Sequence, residues 1–420
     1  MKIITNNIPQ GYKDSPLGII PKEWEVKKIS ASYRVQGGYA FKSDLFTNKG
    51  IAIIRISNIS THRNINLSDC IYYPITKYIE TQFKIKFGDI LIALSGATTG
   101  KSAMYCLDTA AYLNQRVGCF KQTNSTIDNL FLYYWIDSNK FQKQLSLLLI
   151  AGAQPNVSPK DLENIKIPVP PLPEQQKIAE VLSTWNKAIE KQSQLIEKLE
   201  LRKKGLMQQL LTGKKRLPGF SSKWKTIKLG DISKRIVRRN INEQCTNVVT
   251  ISAQKGFIRQ TDFFNKKVAS ETIENYYLVK RNEFCYNKSY SNGFPMGAIK
   301  RLKEFDQAVV TTLYICFAVQ EERISVDFIE QYFSLGLLNR GLMKIANEGG
   351  RAHGLLNVTP NDFFNINLNL PPIDEQKAIS SILFNAYNEV VLAKNKIKSL
   401  QEQKKGLMQV LLTGKKRIIQ

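Results

Sequence analysis

Pro170-Pro171-Leu172-Pro173-Glu174-Gln175 opens a stretch that closes on Leu210-Leu211-Thr212-Gly213-Lys214-Lys215-Arg216 and is then written a second time. The second copy opens as Pro371-Pro372-Ile373-Asp374-Glu375-Gln376 and closes as Leu411-Leu412-Thr413-Gly414-Lys415-Lys416-Arg417. Asn156-Val157-Ser158-Pro159 likewise returns as Asn357-Val358-Thr359-Pro360, and Lys203-Lys204-Gly205-Leu206-Met207-Gln208 as Lys404-Lys405-Gly406-Leu407-Met408-Gln409. Pro371 follows Pro170 by 201 positions, as Arg417 follows Arg216, so about sixty residues repeat without a gap. The segments ahead of each block hardly resemble one another. A scaffold is duplicated, and what it carries is not.

The repeated block predicts one long helix per copy. Pro170-Pro171 stops the preceding element, Pro173 suits a first helical turn, and Glu174 complements the positive N-terminal dipole. Ile178, Leu182, Trp185, Ile189, Gln192, Ile196, Leu199, Lys203, Leu206 and Leu210 then alternate steps of four and three, a heptad seam with two polar interruptions. Ile379, Leu383, Ala386, Val390, Ala393, Ile397, Leu400, Lys404, Leu407 and Leu411 keep the same register. Gly213 and Gly414 stand where a left-handed glycine ends a helix, and the basic residues after them favour the negative end of the dipole. Such a seam alone in water is unfavourable, and two in one chain bury it most simply against each other. About 38 residues at 1.5 Å each give a helix of about 57 Å. Antiparallel pairing would relate the two halves by a pseudo-two-fold axis and make the helices a ruler.

The flanking regions are mixed. Residues 1–15 read as a flexible arm. Ile51–Ile56 and Asp89–Leu94 read as strands between glycines, and Leu130–Leu149 as a helix. In the second half Val248–Ile251 and Val309–Ile315 read as strands. Trp24 before Ile29 and Trp224 before Leu229 mark equivalent starts. The expected fold class is α+β: two mixed α/β domains separated by two long helices in an antiparallel coiled coil. The expected boundaries are 16–170, helix 171–213, 214–371, helix 372–414 and a tail 415–420.

Sixty Lys and Arg face 35 Asp and Glu, a net charge of +25 with a pI near 9.7. That excess favours a polyanionic partner, because lysines and arginines gain by releasing counterions condensed on phosphates. The six cysteines are scattered without a CxxC pair, and the histidines, His62 and His353, lie far apart, which excludes the usual zinc spacings. No secretory apolar region follows Met1 and no stretch approaches a membrane span, so the expected location is the cytoplasm.

Catalytic motifs fail in turn. Gly96-Ala97-Thr98-Thr99-Gly100-Lys101-Ser102 is one residue short of a phosphate-binding loop, whose amides must close round the phosphate. Pro371-Pro372 lacks the residues of an amino-methyltransferase loop on either side. Glu25-Val26-Lys27 carries the ExK of some nucleases, yet the second half has Lys225-Thr226-Ile227 there. With two histidines in the chain, a histidine acid–base pair is also a poor expectation. The expectation is a binding protein with no catalytic or metal residues.

The order of variable region, PPxxEQ-started helix ending in KKGLMQxLLTGKKR, second variable region and second such helix resembles the DNA-specificity (S) subunit of type I restriction–modification systems. The likeness runs from Pro21 and Trp24 to Arg417. Ser95–Lys101, Asn287-Lys288-Ser289-Tyr290 and Gly350-Arg351-Ala352-His353-Gly354-Leu355 also look like stretches found in that family. The resemblance implies a non-catalytic reader of double-stranded DNA, with one target-recognition domain per half of an asymmetric bipartite site. It implies methyltransferase (M) subunits docked on the helices, bringing S-adenosylmethionine. It implies a motor-nuclease (R) subunit using ATP and magnesium, with no cofactor in this chain. On this reading Thr98, Thr99, Lys101, Lys288, Tyr290, Arg351 and His353 are the candidate DNA contacts. A methyltransferase-only or type II-like system is the alternative within the class, and a coiled-coil protein-binding adaptor the alternative outside it.

Overall fold

The computed structural model describes residues 8–60, 64–151, 156–263, 272–346 and 354–418. The chain forms two compact units, one of residues 1–193 with 395–420 and one of residues 194–394. Both dividing lines fall inside the two long helices, Leu172–Leu210 and Ile373–Leu411. Each unit therefore holds the first half of one long helix and the second half of the other.

The first unit centres on an antiparallel sheet in the order Tyr33–Gly37, Val117–Gln122, Ile90–Ala93, Ser102–Met104. Its strands are apolar on both faces because each face is buried. Ile90 and Ile92 enter the core beneath the helices Asn129–Asp137 and Asn139–Ala151, and Leu91 and Ala93 enter a core on the other face. That second core is shared with a four-stranded sheet in the order Ile71–Tyr73, Ile51–Ile54, Ala111–Leu113, Lys84–Ile85. The first core continues onto Ile178, Ala179 and Leu182 of one long helix, Met408 and Leu411 of the other, and Leu412 just beyond its end, all buried.

The second unit repeats the central sheet as Ser233–Ile236, Ile315–Val319, Phe284–Asn287, Ala298–Arg301. Phe284 and Tyr286 face the core with Val326–Ser334 and the long helices, where Leu210, with Leu211 just beyond that helix's end, shares the cluster with Ile379 and Leu383. Cys285 faces the opposite core. Arg202 pairs with Glu389 at 2.8 Å and Glu200 with Lys394 at 2.6 Å, so within this unit the two helices run antiparallel. Every position of the two heptad seams is buried or half-buried.

Three expected elements differ. The helix expected over Leu130–Leu149 is two helices, because Ser138 leaves helical geometry (φ −72°, ψ 151°) and its hydroxyl accepts from the Phe141 amide at 3.2 Å to cap the second. The strand expected over Val309–Ile315 is divided by a turn at residues 311–314 between Gln307–Val310 and Ile315–Val319. Within the stretch read as a flexible arm, Tyr12–Lys13 pairs with Ile20–Pro21, and the Tyr12 hydroxyl donates to the Gly414 carbonyl at 3.0 Å.

Candidate nucleic-acid interface

The repeated words hold each unit shut. Glu174, read above as a dipole partner, is buried (6% exposed) and accepts from Arg417 Nε at 2.8 Å, Arg417 Nη2 at 2.9 Å and Trp24 Nε1 at 3.0 Å. In the second unit Glu375, fully buried, accepts from Arg216 Nε and Nη2, both at 2.7 Å, and from Trp224 Nε1 at 3.2 Å. The forked guanidinium matches the planar carboxylate, and the indole takes a remaining lone pair. Bonding to Glu174 and Glu23 holds the Arg417 guanidinium above the usual arginine range. These arginines thus bind a carboxylate in the other repeat, beyond any role at their own helix ends. Each helix does end as read, on Gly213 and Gly414 at φ +69°, with the Lys215 amide returning to the Gln209 carbonyl and Lys416 to Val410.

The glutamines of the same motif position the variable half. Gln175 accepts from the Asp128 amide at 2.8 Å and donates to the Thr126 and Pro170 carbonyls. Asp128 in turn caps the helix Asn129–Asp137. Gln376 accepts from the Ser325 amide at 2.8 Å, and Ser325 caps Val326–Ser334. Ser158 and Thr359, in the repeated Asn-Val-Ser/Thr-Pro words, cap Pro159–Asn164 and Pro360–Phe364.

On this frame the predicted contacts fall on equivalent hairpins. Thr98, Thr99 and Lys101 lie in the turn between Ile90–Ala93 and Ser102–Met104, and Lys288 and Tyr290 in the turn between Phe284–Asn287 and Ala298–Arg301. In the first unit the Gly100 amide bonds the Ala93 carbonyl, the Ala93 amide bonds the Lys101 carbonyl, and Thr99 bonds Gly96 through amide and hydroxyl. Gly100, at φ +84°, also presses on the helix behind it: a Cβ there would sit 2.4 Å from Leu145 Cδ2. These glycines serve a tight hairpin and its packing. A neighbouring segment lies against each hairpin, through Val157 to Leu94 in one unit and Leu356 to Lys288 and Tyr290 to Gly354 in the other.

The side chains differ in reach. Tyr290 is 63% exposed and Lys101 is half-buried with no side-chain bond among the described residues. Thr98 Oγ1 is buried and unpartnered among those residues, as are Ser95 Oγ and Ser102 Oγ. Lys288 is half-buried, donates to the Val358 carbonyl at 3.5 Å, and is held below the ordinary lysine range by desolvation. It looks inward more than outward. Arg351 and His353 lie outside the described residues. Two exposed residues were missed by the sequence reading: Gln115 and Arg116, in the turn beside Leu94.

Among the described residues no cluster of three or more His, Cys, Asp or Glu is placed to hold a metal, and no helix is long and apolar enough to cross a membrane. Glu25, of the nuclease-like triplet, is exposed and paired with Lys27 at 2.7 Å, which lowers its pKa.

Residues 21–201 match the family model of the type I restriction modification DNA specificity domain. The type I restriction enzyme MjaVIII specificity subunit of Methanocaldococcus jannaschii is 36% identical over 219 residues, 50% of this chain and 51% of that protein. The putative type I restriction enzyme MjaX specificity subunit of the same organism is 25% identical over 444 residues, 97% of each chain. The chain thus spans about half the length of the first relative and nearly all of the second. The solved S subunit of a type I restriction–modification system from M. genitalium aligns over 98% of both chains, with a TM-score of 0.54 at 16% identity, a likeness of fold.

Proposed function

We propose that this chain, which belongs with the specificity subunits of type I restriction–modification systems, is the non-catalytic DNA-recognition subunit of such a complex, acting in the cytoplasm. Its two target-recognition domains, within residues 16–170 and 214–371, each read one half of a bipartite site. The single observation that carries this reading is the combination of sameness and difference between the units. The sheet, the glutamate–arginine–tryptophan latch and the glutamine-held helix cap recur, while the hairpins read Ser-Gly-Ala-Thr-Thr-Gly-Lys in one and Lys-Ser-Tyr-Ser-Asn-Gly-Phe in the other. Identical halves would suit a palindrome; equal frames with unequal turns suit an asymmetric, interrupted site.

The net charge of +25 supplies the non-specific attraction to phosphates, and exposed turns supply base readout. The helices 171–213 and 372–414 act as spacer, with Ile178, Leu182, Trp185, Ile189, Ile196, Leu199, Leu206, Leu210, Ile379, Leu383, Val390, Ile397, Leu400, Leu407 and Leu411 as their seam. The outward helix surface, where Leu201, Phe384 and Leu392 are 72%, 59% and 67% exposed, is where methyltransferase subunits dock. S-adenosylmethionine, ATP and magnesium belong to the methyltransferase and motor-nuclease partners. Methylome sequencing of cells that express this chain with its cognate methyltransferase tests the proposal. The expected result is an interrupted, asymmetric methyladenine motif; a palindromic or continuous motif would overturn it.

A further inference from the structure

The turn from Asn114 to Arg116 in the first unit is held rigid along its backbone while its two outer side chains are left free. The Asn114 amide bonds the Ile54 carbonyl at 3.2 Å, and the Asn114 carbonyl receives the Val117 amide at 2.8 Å. Gln115 donates its amide to Tyr39 at 2.9 Å, and the Arg116 carbonyl receives the Leu94 amide at 2.9 Å. Gly38 allows this closeness, since a Cβ on it would lie 2.1 Å from the Asn114 carbonyl oxygen. Both Gln115 and Arg116 are exposed, and neither side chain has a hydrogen bond or ion pair among the described residues. Most other arginines of the chain with a described partner are spent on carboxylates or carbonyls: Arg202, Arg216, Arg238, Arg281, Arg301 and Arg417 among them.

Arg116 also stands in a particular place. Val117 pairs with Ala93 in the ladder, so Arg116 is opposite Leu94, the residue that enters the 95–101 hairpin. In the second unit Tyr286 pairs with Ile315, and continuing that register sets Leu313 opposite Lys288. The ladder position of Gln115-Arg116 is therefore held by Thr312-Leu313 in the other unit, with Leu313 58% exposed. One unit presents an amide and a guanidinium fork there, and the other a hydroxyl and an isobutyl group. A fork suits the O6 and N7 acceptors of guanine and an amide suits adenine, while an apolar side chain can touch only a thymine methyl.

From this geometry we infer that Gln115 and Arg116 are specificity-determining residues that read base edges in the half-site of the first unit, Arg116 on a guanine. The inference rests on the DNA-recognition reading above and names where that reading is done. A rigid backbone carrying two free planar donors loses little on binding, because only the side chains must be ordered.

The test uses the complete complex of this chain with its methyltransferase and duplexes carrying each single base-pair change across the mapped motif. In Arg116→Ala, discrimination at one G·C pair of one half-site should fall by roughly tenfold or more, with the other half-site unchanged. Arg116→Lys keeps the charge and loses the fork, so it should relax the same position while keeping the salt dependence of binding. This holds the inference to account even if the alanine variant folds poorly. Discrimination unchanged at every pair in both variants would overturn the inference alone. Uniform weakening on all duplexes with a shallower salt slope would also overturn it, by making Arg116 a phosphate contact. A wild-type complex that prefers no duplex over another would overturn the DNA-recognition reading itself, and this inference with it.

Discussion

Replacing Arg417 by alanine removes two bonds, at 2.8 and 2.9 Å, from a carboxylate that is 6% exposed. Trp24 Nε1, at 3.0 Å, is then the remaining donor to Glu174 among the described residues. Removing one partner of a buried ion pair costs about 3–5 kcal/mol, because the other charge stays buried and uncompensated. Arg417 keeps 18% of its side-chain exposure, so water can reach the gap, and the lower figure of about 3 kcal/mol applies. For a unit of this size 1 kcal/mol shifts Tm by about 2–4 °C, so the transition of the first unit should fall by about 6–12 °C. Urea unfolding of the full chain, followed by tryptophan fluorescence, measures the loss. A cycle with Glu174→Gln isolates the pair: the double variant should lose at least about 1.5 kcal/mol less than the two singles added together. Additive losses, within about 0.5 kcal/mol, would refute the latch and leave Glu174 as a dipole partner at its helix end.

Three further outcomes follow from the same frame. Gln175→Ala orphans the Asp128 amide and the Thr126 and Pro170 carbonyls, and should cost about 2 kcal/mol in chemical denaturation; a loss below about 0.5 would show that water replaces the side chain. Gly414 and Gly213 share φ +69°, but an added Cβ would lie 2.3 Å from Pro21 Cδ in one and 3.3 Å from Trp224 in the other. Gly414→Ala should therefore destabilise more than Gly213→Ala, by about 1–3 kcal/mol in thermal unfolding, and equal losses would contradict this. Burial lowers the Lys288 pKa, so protonating it opposes folding below that lowered value, and the penalty fades as pH rises from there to the ordinary lysine value of about 10.4. Lys288→Met should accordingly gain stability over the parent at pH 7 and lose that advantage near pH 10.5; an advantage equal at both pH values would contradict burial as the cause.

The long helices were legible because a heptad seam sustained over ten positions has one simple structural solution, and Ile178, Leu182, Ile379 and Leu383 are buried accordingly. The central strands were legible as apolar runs, since Ile90 to Ala93 bury both faces of one sheet. Their ends were not, because the break at Ser138 and the turn at Thr311–Tyr314 depend on local hydrogen bonds with no periodic signal. Glu174 and Arg417 lie 243 positions apart, so their pairing could not be read from spacing. The signal was present all the same: glutamate, arginine and tryptophan each recur in both halves. The hairpins at Thr98 and Tyr290 could be nominated by their glycines and basic residues. Arg116 could not, since its importance comes from the ladder that sets it beside Leu94.

The central claim is that two unlike readers are spaced by one repeated pair of helices, and a four-residue insertion in the exposed middle of the first long helix tests it most directly. One added turn lengthens that helix by about 6 Å, close to two base pairs of about 3.4 Å. Methylome sequencing of cells carrying the insertion variant with its methyltransferase should return the same two half-sites, separated by one or two more base pairs. An unchanged spacer, or altered bases in either half-site, would contradict the claim.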